Sequence, residues 1–241
     1  MSNFRSFFVH PNNIDNKYFY LDKTESHHIS SVLRLKINEN IYLIDGNGTA
    51  YHATIEQITK DKVSGKITDV LPGFGEPVCK INLAFGIIKP SRMQWAVEKS
   101  TEFGVSNIFP LQMDRSVKRS FNIERFKSIT KSSAKQCARS IIPKIYEPQS
   151  FSDWLERKID MPIIAFSQNS DMNIISLKDF LPFGCDKLNL VIGPEGGFSE
   201  WEVSLLNNYN SIFISLGNRR LRTESAVISS ISIINQLITG E

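Results

Sequence analysis

The 241-residue chain reads as an α/β protein preceded by a smaller β-rich domain. Three observations predict this. Beyond residue 78, apolar runs alternate with amphipathic stretches, the order expected of a mainly parallel sheet covered by helices. Before residue 73, the apolar runs are short and joined by glycine turns, which suits a small β-rich barrel. Between them, Leu71-Pro-Gly-Phe-Gly-Glu-Pro77 concentrates chain breakers and separates a domain over 1–73 from one over 78–241.

Composition narrows the class. With 22% charged residues and 16 Phe, 6 Tyr and 3 Trp, the chain has the apolar bulk to offset chain entropy, which excludes disorder. No run reaches the ~18 apolar residues of a membrane span, and the opening Met-Ser-Asn-Phe-Arg-Ser-Phe-Phe-Val lacks a signal-peptide core. Cys79, Cys137 and Cys185 lie far apart, so no disulfide framework is expected. Four His and no CxxC pair argue against a metal site. The expectation is a reduced, cytoplasmic protein without metal or membrane.

In the first domain, Phe7-Phe-Val9 is a strand, and 25–35 is expected to form a short helix. Ile41-Tyr-Leu-Ile44 and Tyr51-His-Ala-Thr-Ile55 flank Asp45-Gly-Asn-Gly48, a hairpin signal. Asp61–Ile67 offers another strand. In the second domain, Ile81–Ile88 is a buried strand leading to Ser91, expected to N-cap a helix with Gln94 completing a capping box. Gly104 ends that helix at C′. Strands follow at Val105–Leu111, Ile163–Phe166, Leu188–Ile192 and Ser211–Leu216, and helices at 124–140, Ser199–Asn207 and Glu224–Leu237.

The net charge of +3 hides an asymmetry. Residues 86–145 carry 12 Lys/Arg against 4 Asp/Glu, whereas 146–241 carry 7 against 12. Within the 124–140 helix, Ile123, Phe126, Ile129, Ser133 and Cys137 suggest a buried stripe. Lys127, Lys131, Lys135 and Arg139 recur every four residues, as on one exposed face. A solvated cationic face and a nucleic-acid contact explain this about equally well.

Two loops look like a ligand site. Gly193-Pro-Glu-Gly-Gly-Phe-Ser199 follows an apolar strand and opens a helix; Ser199 and Glu202 form a capping box, and Phe198 with Val203 a hydrophobic staple. Its glycines sit at a strand's C-terminal edge, where open α/β sheets bind ligands, though neither GxGxxG nor a P-loop is present. The second loop, Leu216-Gly-Asn-Arg-Arg-Leu-Arg-Thr-Glu-Ser-Ala226, also links a strand to a helix, with Thr223 expected as N-cap. Its three arginines in four residues favour an anion or an extruded base.

At these loops the chain resembles the bacterial 16S rRNA uridine N3-methyltransferases (RsmE type) of the SPOUT superfamily. Gly193–Ser199 with Glu202 matches the family's GPEGGFS motif, and Leu216-Gly, Arg219, Leu221-Arg-Thr-Glu224 and Ala226 its LGxRILRTETA motif. Lys89, Arg92, Met93, Lys99, Thr101, Glu102 and Gly104 match K-x-D-R-M…K-x-T-E-L-G; Gln136 and Arg139 match Q-x-x-R; His27, His28, Val32, Leu33 and Arg34 match HH-L-x-x-VLR. Ser91, Gln94, Arg220 and Ser225 depart from the usual Asp, Glu, Ile and Thr.

The resemblance implies an N-terminal PUA-like β-barrel that contacts RNA and a C-terminal SPOUT α/β domain with a trefoil knot. It implies a homodimer, and S-adenosyl-L-methionine held by Gly193, Pro194, Glu195, Gly196, Gly197, Leu216, Gly217, Leu221 and Arg222. It further implies methylation of a uridine N3 in 16S rRNA of the small ribosomal subunit, with RNA contacts from Arg5, His27, His28, Arg34, Arg92, Lys131, Lys135, Gln136 and Arg139. For His27-His28 a capping or packing role is nearly as good a reading. N3 must lose a proton, and the charge spreads onto O2 and O4. Arg222 is the first candidate to stabilise that anion, ahead of Arg92 and Arg139, with the cofactor's carboxylate as its competing partner. Glu102 and Glu224 are the candidate bases, or else orient an arginine. A ribose 2′-O-methyltransferase and a non-catalytic ribosome assembly factor are the rival readings.

Overall fold

The computed structural model describes residues 5–59, 61–116, 121–157, 161–179 and 185–239. In chain order the elements are β1 (Ser6–Phe8), β2 (Ile14–Asp15), β3 (Tyr18–Tyr20), α1 (Lys23–His27), β4 (Asn40–Ile44), β5 (Thr49–Ile58), β6 (Val63–Pro72) and β7 (Lys80–Gly86). Then come α2 (Pro90–Glu102), β8 (Val105–Gln112), α3 (Ile123–Cys137), β9 (Lys144–Ile145), β10 (Gln149–Ser150) and α4 (Phe151–Glu156). The chain closes with β11 (Ile163–Phe166), β12 (Lys187–Ile192), α5 (Glu200–Asn208), β13 (Ile212–Ile214) and α6 (Thr223–Thr239). Two compact units result, Met1–Glu76 with Lys131–Ile142, and Pro77–Thr130 with Pro143–Glu241.

The first unit is built on a six-stranded sheet in the order β1-β4-β5-β6-β3-β2. The β4–β5 hairpin forms at the expected turn: the Asp45 carboxylate accepts from the N–H groups of Asn47 and Thr49 (2.8 and 3.0 Å). Gly46 and Gly48 supply its positive φ values of 79° and 118°. Phe7, Phe19, Leu21, Ile29, Ile41, Leu43 and Ile55 fill the core. The helix expected over 25–35 divides into α1, N-capped by Asp22, and a π-helical turn over His28–Val32. Leu33 caps that turn and Arg34 follows in the left-handed region (φ 52°), with Val32 and Leu33 exposed.

The second unit carries the parallel sheet, in the order β10-β8-β7-β12-β11-β13 with β9 beside β8. Among the described residues all its strand pairings are parallel. β11, and β12 beyond Lys187, are buried on both faces, which is why they read as apolar runs interrupted only by the buried Asn189. α2 lays Met93, Ala96, Val97, Ser100 and Thr101 against the core, the i, i+3, i+4, i+7, i+8 stripe of an amphipathic helix. Gly104 follows it with φ 92°, where a Cβ would lie 2.7 Å from the Pro77 side chain. The start of α2 differs from expectation. Lys89 occupies the N-cap without a side-chain bond, and Pro90 is the first helical residue. Proline's fixed φ suits that position, so the helix begins ahead of Ser91 and Ser91 caps nothing.

α3 also differs. Phe126, Thr130, Ser133, Ala134 and Ala138 are buried, while Ile123 and Ile129 are only partly so and Cys137 is exposed. The buried face is thus rotated from the expected stripe. In consequence only Lys127 of the four regularly spaced cations is fully exposed. Lys131 places its ammonium 3.8 Å from the centre of the Phe8 ring. Lys135 pairs with the buried Glu25 at 2.6 Å. Arg139, 1% exposed, donates to the Glu76 carboxylate from Nη2 at 2.6 Å and Nε at 3.2 Å, and that carboxylate also accepts the Ile141 N–H at 2.8 Å. The row of charges is mostly an internal fastening of the first unit, because each cation meets an aromatic face or a carboxylate. Among the described residues no helix is long and apolar enough to cross a membrane.

Candidate active site

The C-terminal ends of β11, β12 and β13 converge on one pocket of about 300 Å³, at the low end of small-ligand sites. Its walls come from the Phe166–Asn169 segment after β11, the glycine turn after β12, and Leu216–Leu221 after β13. The site therefore lies where parallel strands end and helix N-termini begin. Ser199 caps α5, and its capping box with Glu202 is complete, as the sequence predicts.

The turn's glycines serve different needs. A Cβ on Gly193 would sit 2.9 Å from the Gly197 carbonyl carbon, so that glycine lets the turn fold on itself. A Cβ on Gly86, at the end of β7, would lie 2.7 Å from Pro194. By contrast, Gly197 and Gly217 adopt φ values of 70° and 106°, and a Cβ on either would meet nothing among the described residues within 4 Å. These two leave open space beside the backbone of both loops, the cradle that close approach of a ligand requires.

Three arginines from three elements hold the turn. Arg92 of α2 donates from Nη1 to the Glu195 carboxylate at 2.7 Å. Arg115, just past β8, donates to the Gly196 carbonyl at 2.7 Å, and Arg220 to the Glu195 carbonyl at 3.2 Å. Thr223 is the first residue of α6, and its hydroxyl donates to the Gly193 carbonyl at 3.1 Å instead of capping the helix. The two expected loops are thereby tied directly to each other.

Of the candidate catalytic residues, Arg222 and Glu224 belong here. Arg222 is exposed and lines a second hollow with Arg92, Glu195, Arg220 and Leu221. Glu224 is buried, its Oε1 lies 3.6 Å from Arg92 Nε, and its Oε2 has no hydrogen-bond partner among the described residues. Glu102 is separated from them. It lies ten residues along α2 from Arg92, about 15 Å at the helical rise, and its carboxylate is bound to Lys99 at 2.8 Å. Glu102 and Glu98 in turn raise the pKa of Lys99.

The RNA-contact candidates of the first unit divide in the same way. His27, Arg34 and Gln136 are exposed. His28 meets the Phe7 ring edge-on at 5.8 Å, and Arg5 pairs with Glu39 at 2.8 Å. Lys135 and Arg139 are engaged with Glu25 and Glu76, which removes both from the expected exposed surface. Sequence reasoning passed over Arg115 and Gly86. Their one signal was position, immediately after β8 and at the end of β7. No group of three His, Cys, Asp or Glu among the described residues is placed to hold a metal ion.

The model of an RNA methyltransferase domain matches residues 75–235, and that of an RNA methyltransferase PUA domain residues 21–68. The ribosomal RNA small subunit methyltransferase E of Bacillus subtilis (strain 168) is 31% identical over 238 residues, spanning 92% of this chain and 93% of the relative. The chain belongs to the ribosomal RNA small subunit methyltransferase E family. The family enzyme of Rickettsia conorii is likewise 31% identical, covering 88% of this chain and 86% of its own. The crystal structure of the Neisseria gonorrhoeae enzyme of this family, bound to S-adenosyl methionine, aligns with a TM-score of 0.87 at 26% identity over 98% of both chains. A putative methyltransferase of Legionella pneumophila, in complex with S-adenosyl methionine, aligns with a TM-score of 0.80 at 29% identity over 97% of both. Within the family frame, the first unit is PUA-like and the second is the methyltransferase α/β unit with its parallel sheet.

Proposed function

We infer that the protein transfers a methyl group from S-adenosylmethionine to rRNA, and propose N3 of a uridine in the 16S rRNA of the small ribosomal subunit as the acceptor. The observation that carries this reading is the pocket between the Gly193–Ser199 and Leu216–Ala226 loops. Gly197 and Gly217 leave their Cβ sides open there, and three guanidiniums brace or border the turn. The donor set suits the cofactor: backbone groups of Gly193–Gly197, Leu216, Gly217 and Leu221 would hold it, in a wall of mixed polar and apolar character. The bound cofactor supplies an electrophilic methyl group on its sulfonium sulfur.

The protein's own residues handle position and charge. Among the described residues no ion pair or hydrogen bond engages the Arg222 guanidinium, which lines the second hollow and can face the negative charge that builds on uracil oxygens as N3 is deprotonated. Glu224, whose Oε2 has no partner among the described residues, accepts that proton, and Arg92 beside it orients the carboxylate. N3 lies on the Watson–Crick edge, so the base must be unpaired or extruded. His27, Arg34 and Gln136 are the exposed contacts for the RNA strand.

Residues 1–73 then act as the RNA-binding PUA-like barrel and 78–241 as the SPOUT methyltransferase domain, threaded as a trefoil knot in the cytoplasm. The homodimer belongs to the same reading and rests on the family resemblance. Light scattering at micromolar concentration that returns 27.4 kDa would remove the dimer. The deciding experiment for the reaction is mass spectrometry of 16S rRNA from cells with and without the gene, expecting one N3-methyluridine to disappear. A lost ribose methylation would instead select 2′-O chemistry, and no change with no cofactor binding by calorimetry would select an assembly factor.

A further inference from the structure

Gly196 differs from its neighbours in the turn. Gly197 and Gly217 need the left-handed region, but Gly196 is absent from the positive-φ positions, so its backbone admits alanine on conformational grounds. What crowds a side chain there is Arg115. A Cβ on Gly196 would lie 3.0 Å from both Cβ and Cδ of Arg115, tighter than ordinary van der Waals contact. The same arginine donates from Nη1 to the Gly196 carbonyl at 2.7 Å and lines the pocket. Its stem covers one side of this residue while its charged end fixes the carbonyl.

Arg115 is itself held in place. The Met113 N–H donates to Ser116 Oγ at 3.1 Å and the Ser116 N–H to the Met113 carbonyl at 3.0 Å, closing a tight turn around Asp114 and Arg115. That turn is anchored by Glu202, which is fully buried. Glu202 Oε1 accepts the Asp114 N–H at 2.9 Å and Oε2 the Ser199 N–H at 2.7 Å, while the Ser199 hydroxyl donates to the Asp114 carboxylate at 2.5 Å. One buried carboxylate thus joins the loop after β8 to the end of the glycine turn, and aims Arg115 at its middle.

We propose that Arg115 is a positioning residue for methyl transfer, which sets the Glu195–Gly197 turn in its cofactor-holding shape by bracing Gly196. The proposal rests on the methyltransferase reading above and adds a residue to it. Arg115 acts through the turn, so its loss falls on the cofactor and not on the RNA.

The test uses the full chain and its variants Arg115→Ala, Arg115→Lys, Gly196→Ala and the double variant Arg115→Ala/Gly196→Ala. Calorimetry with S-adenosylmethionine is set beside KM for RNA and the single-turnover rate. Arg115→Ala should weaken cofactor affinity roughly ten- to hundredfold, the cost of losing a charge-assisted hydrogen bond, with KM for RNA unchanged. Arg115→Lys, which keeps stem and charge but not the planar fork, should restore part of it. Gly196→Ala should weaken binding by displacing the arginine, and the double variant should be no worse than the weaker single one. Unchanged cofactor affinity in Arg115→Ala overturns the proposal, as does a double variant whose losses multiply. So does a raised KM for RNA with normal cofactor affinity, which would make Arg115 a phosphate contact. If Gly196→Ala does not fold, the alanine and lysine variants at 115 still decide. Failure of the unsubstituted protein to bind the cofactor would fall on the methyltransferase reading itself, a distinct result.

Discussion

In the glycine turn, Arg92, Arg115 and Arg220 donate to a carboxylate and two carbonyls at the edge of an open pocket, and the Arg222 guanidinium borders the hollow beside it with no side-chain bond among the described residues. Along α3 the cations have the opposite setting. Lys131 sits over an aromatic ring, and Lys135 and Arg139 are fastened to the carboxylates of Glu25 and Glu76. The density of positive charge is similar, and the use is different. A guanidinium braced at a pocket rim keeps donors for a ligand, whereas one sealed against a carboxylate has exchanged its hydration for an internal bond. Basic spacing alone does not separate these cases. The carboxylates brought alongside by the fold do.

The comparison breaks most decisively at Arg139. Replacing it with alanine leaves the Glu76 carboxylate nearly buried without its guanidinium, and stability should fall by about 3–5 kcal/mol, the cost of breaking a buried pair. Lys127→Ala, on the exposed side of the same helix, should stay within about 0.5 kcal/mol. Urea unfolding of both variants checks this, and equal effects would return the whole row to a solvated face.

At the pocket, Arg222→Ala should slow single-turnover methylation roughly 10²–10³-fold, the usual loss for one oxyanion donor, with little change in cofactor affinity. Calorimetry and rapid-quench kinetics together separate this from a cofactor contact, which would show the reverse. Gly193→Ala should follow in size. Its Cβ would press within 2.9 Å of the Gly197 backbone, so the turn must open at a cost of about 1–3 kcal/mol. Weaker cofactor binding with a slightly lowered melting temperature is the expected pair of readouts.

The smallest effect distinguishes the cysteines. Cys137 is exposed, whereas burial, aided by Cys185 and Asp186, pushes the Cys79 thiol up from 9.0 to about 12. At neutral pH a thiol reagent should therefore label Cys137 ahead of Cys79. Between about pH 9 and 12 the native Cys79 keeps a proton that the unfolded thiol has lost, so its contribution to stability declines as pH rises through that window. Cys79→Ala should flatten that part of the alkaline decline in urea midpoints.

Much of the molecule was legible beforehand, for local reasons. The Asp45–Gly48 hairpin, the C′ glycine at 104 and the Ser199–Glu202 capping box each depend on side chains that satisfy backbone groups a few residues away. The motifs of both loops pointed to the family and to the pocket, because a strand's end and a helix's start are marked in the sequence. Even locally, one rule displaced another: Pro90 set the start of α2 and left Ser91 without the cap expected of it.

Sequence alone therefore determined the α/β pattern, the parallel strands and the two ligand loops, since periodicity, caps and glycines act over a few residues. Tertiary structure decided which charges work inward and which outward. Glu25 is 110 residues from Lys135, Glu76 is 63 from Arg139, and Gly196 is 81 from Arg115. It separated Glu102 from the site and brought Arg115 into it. The value of a charged group depends on what removes its water, and that partner is chosen by the fold and not by the neighbouring residues.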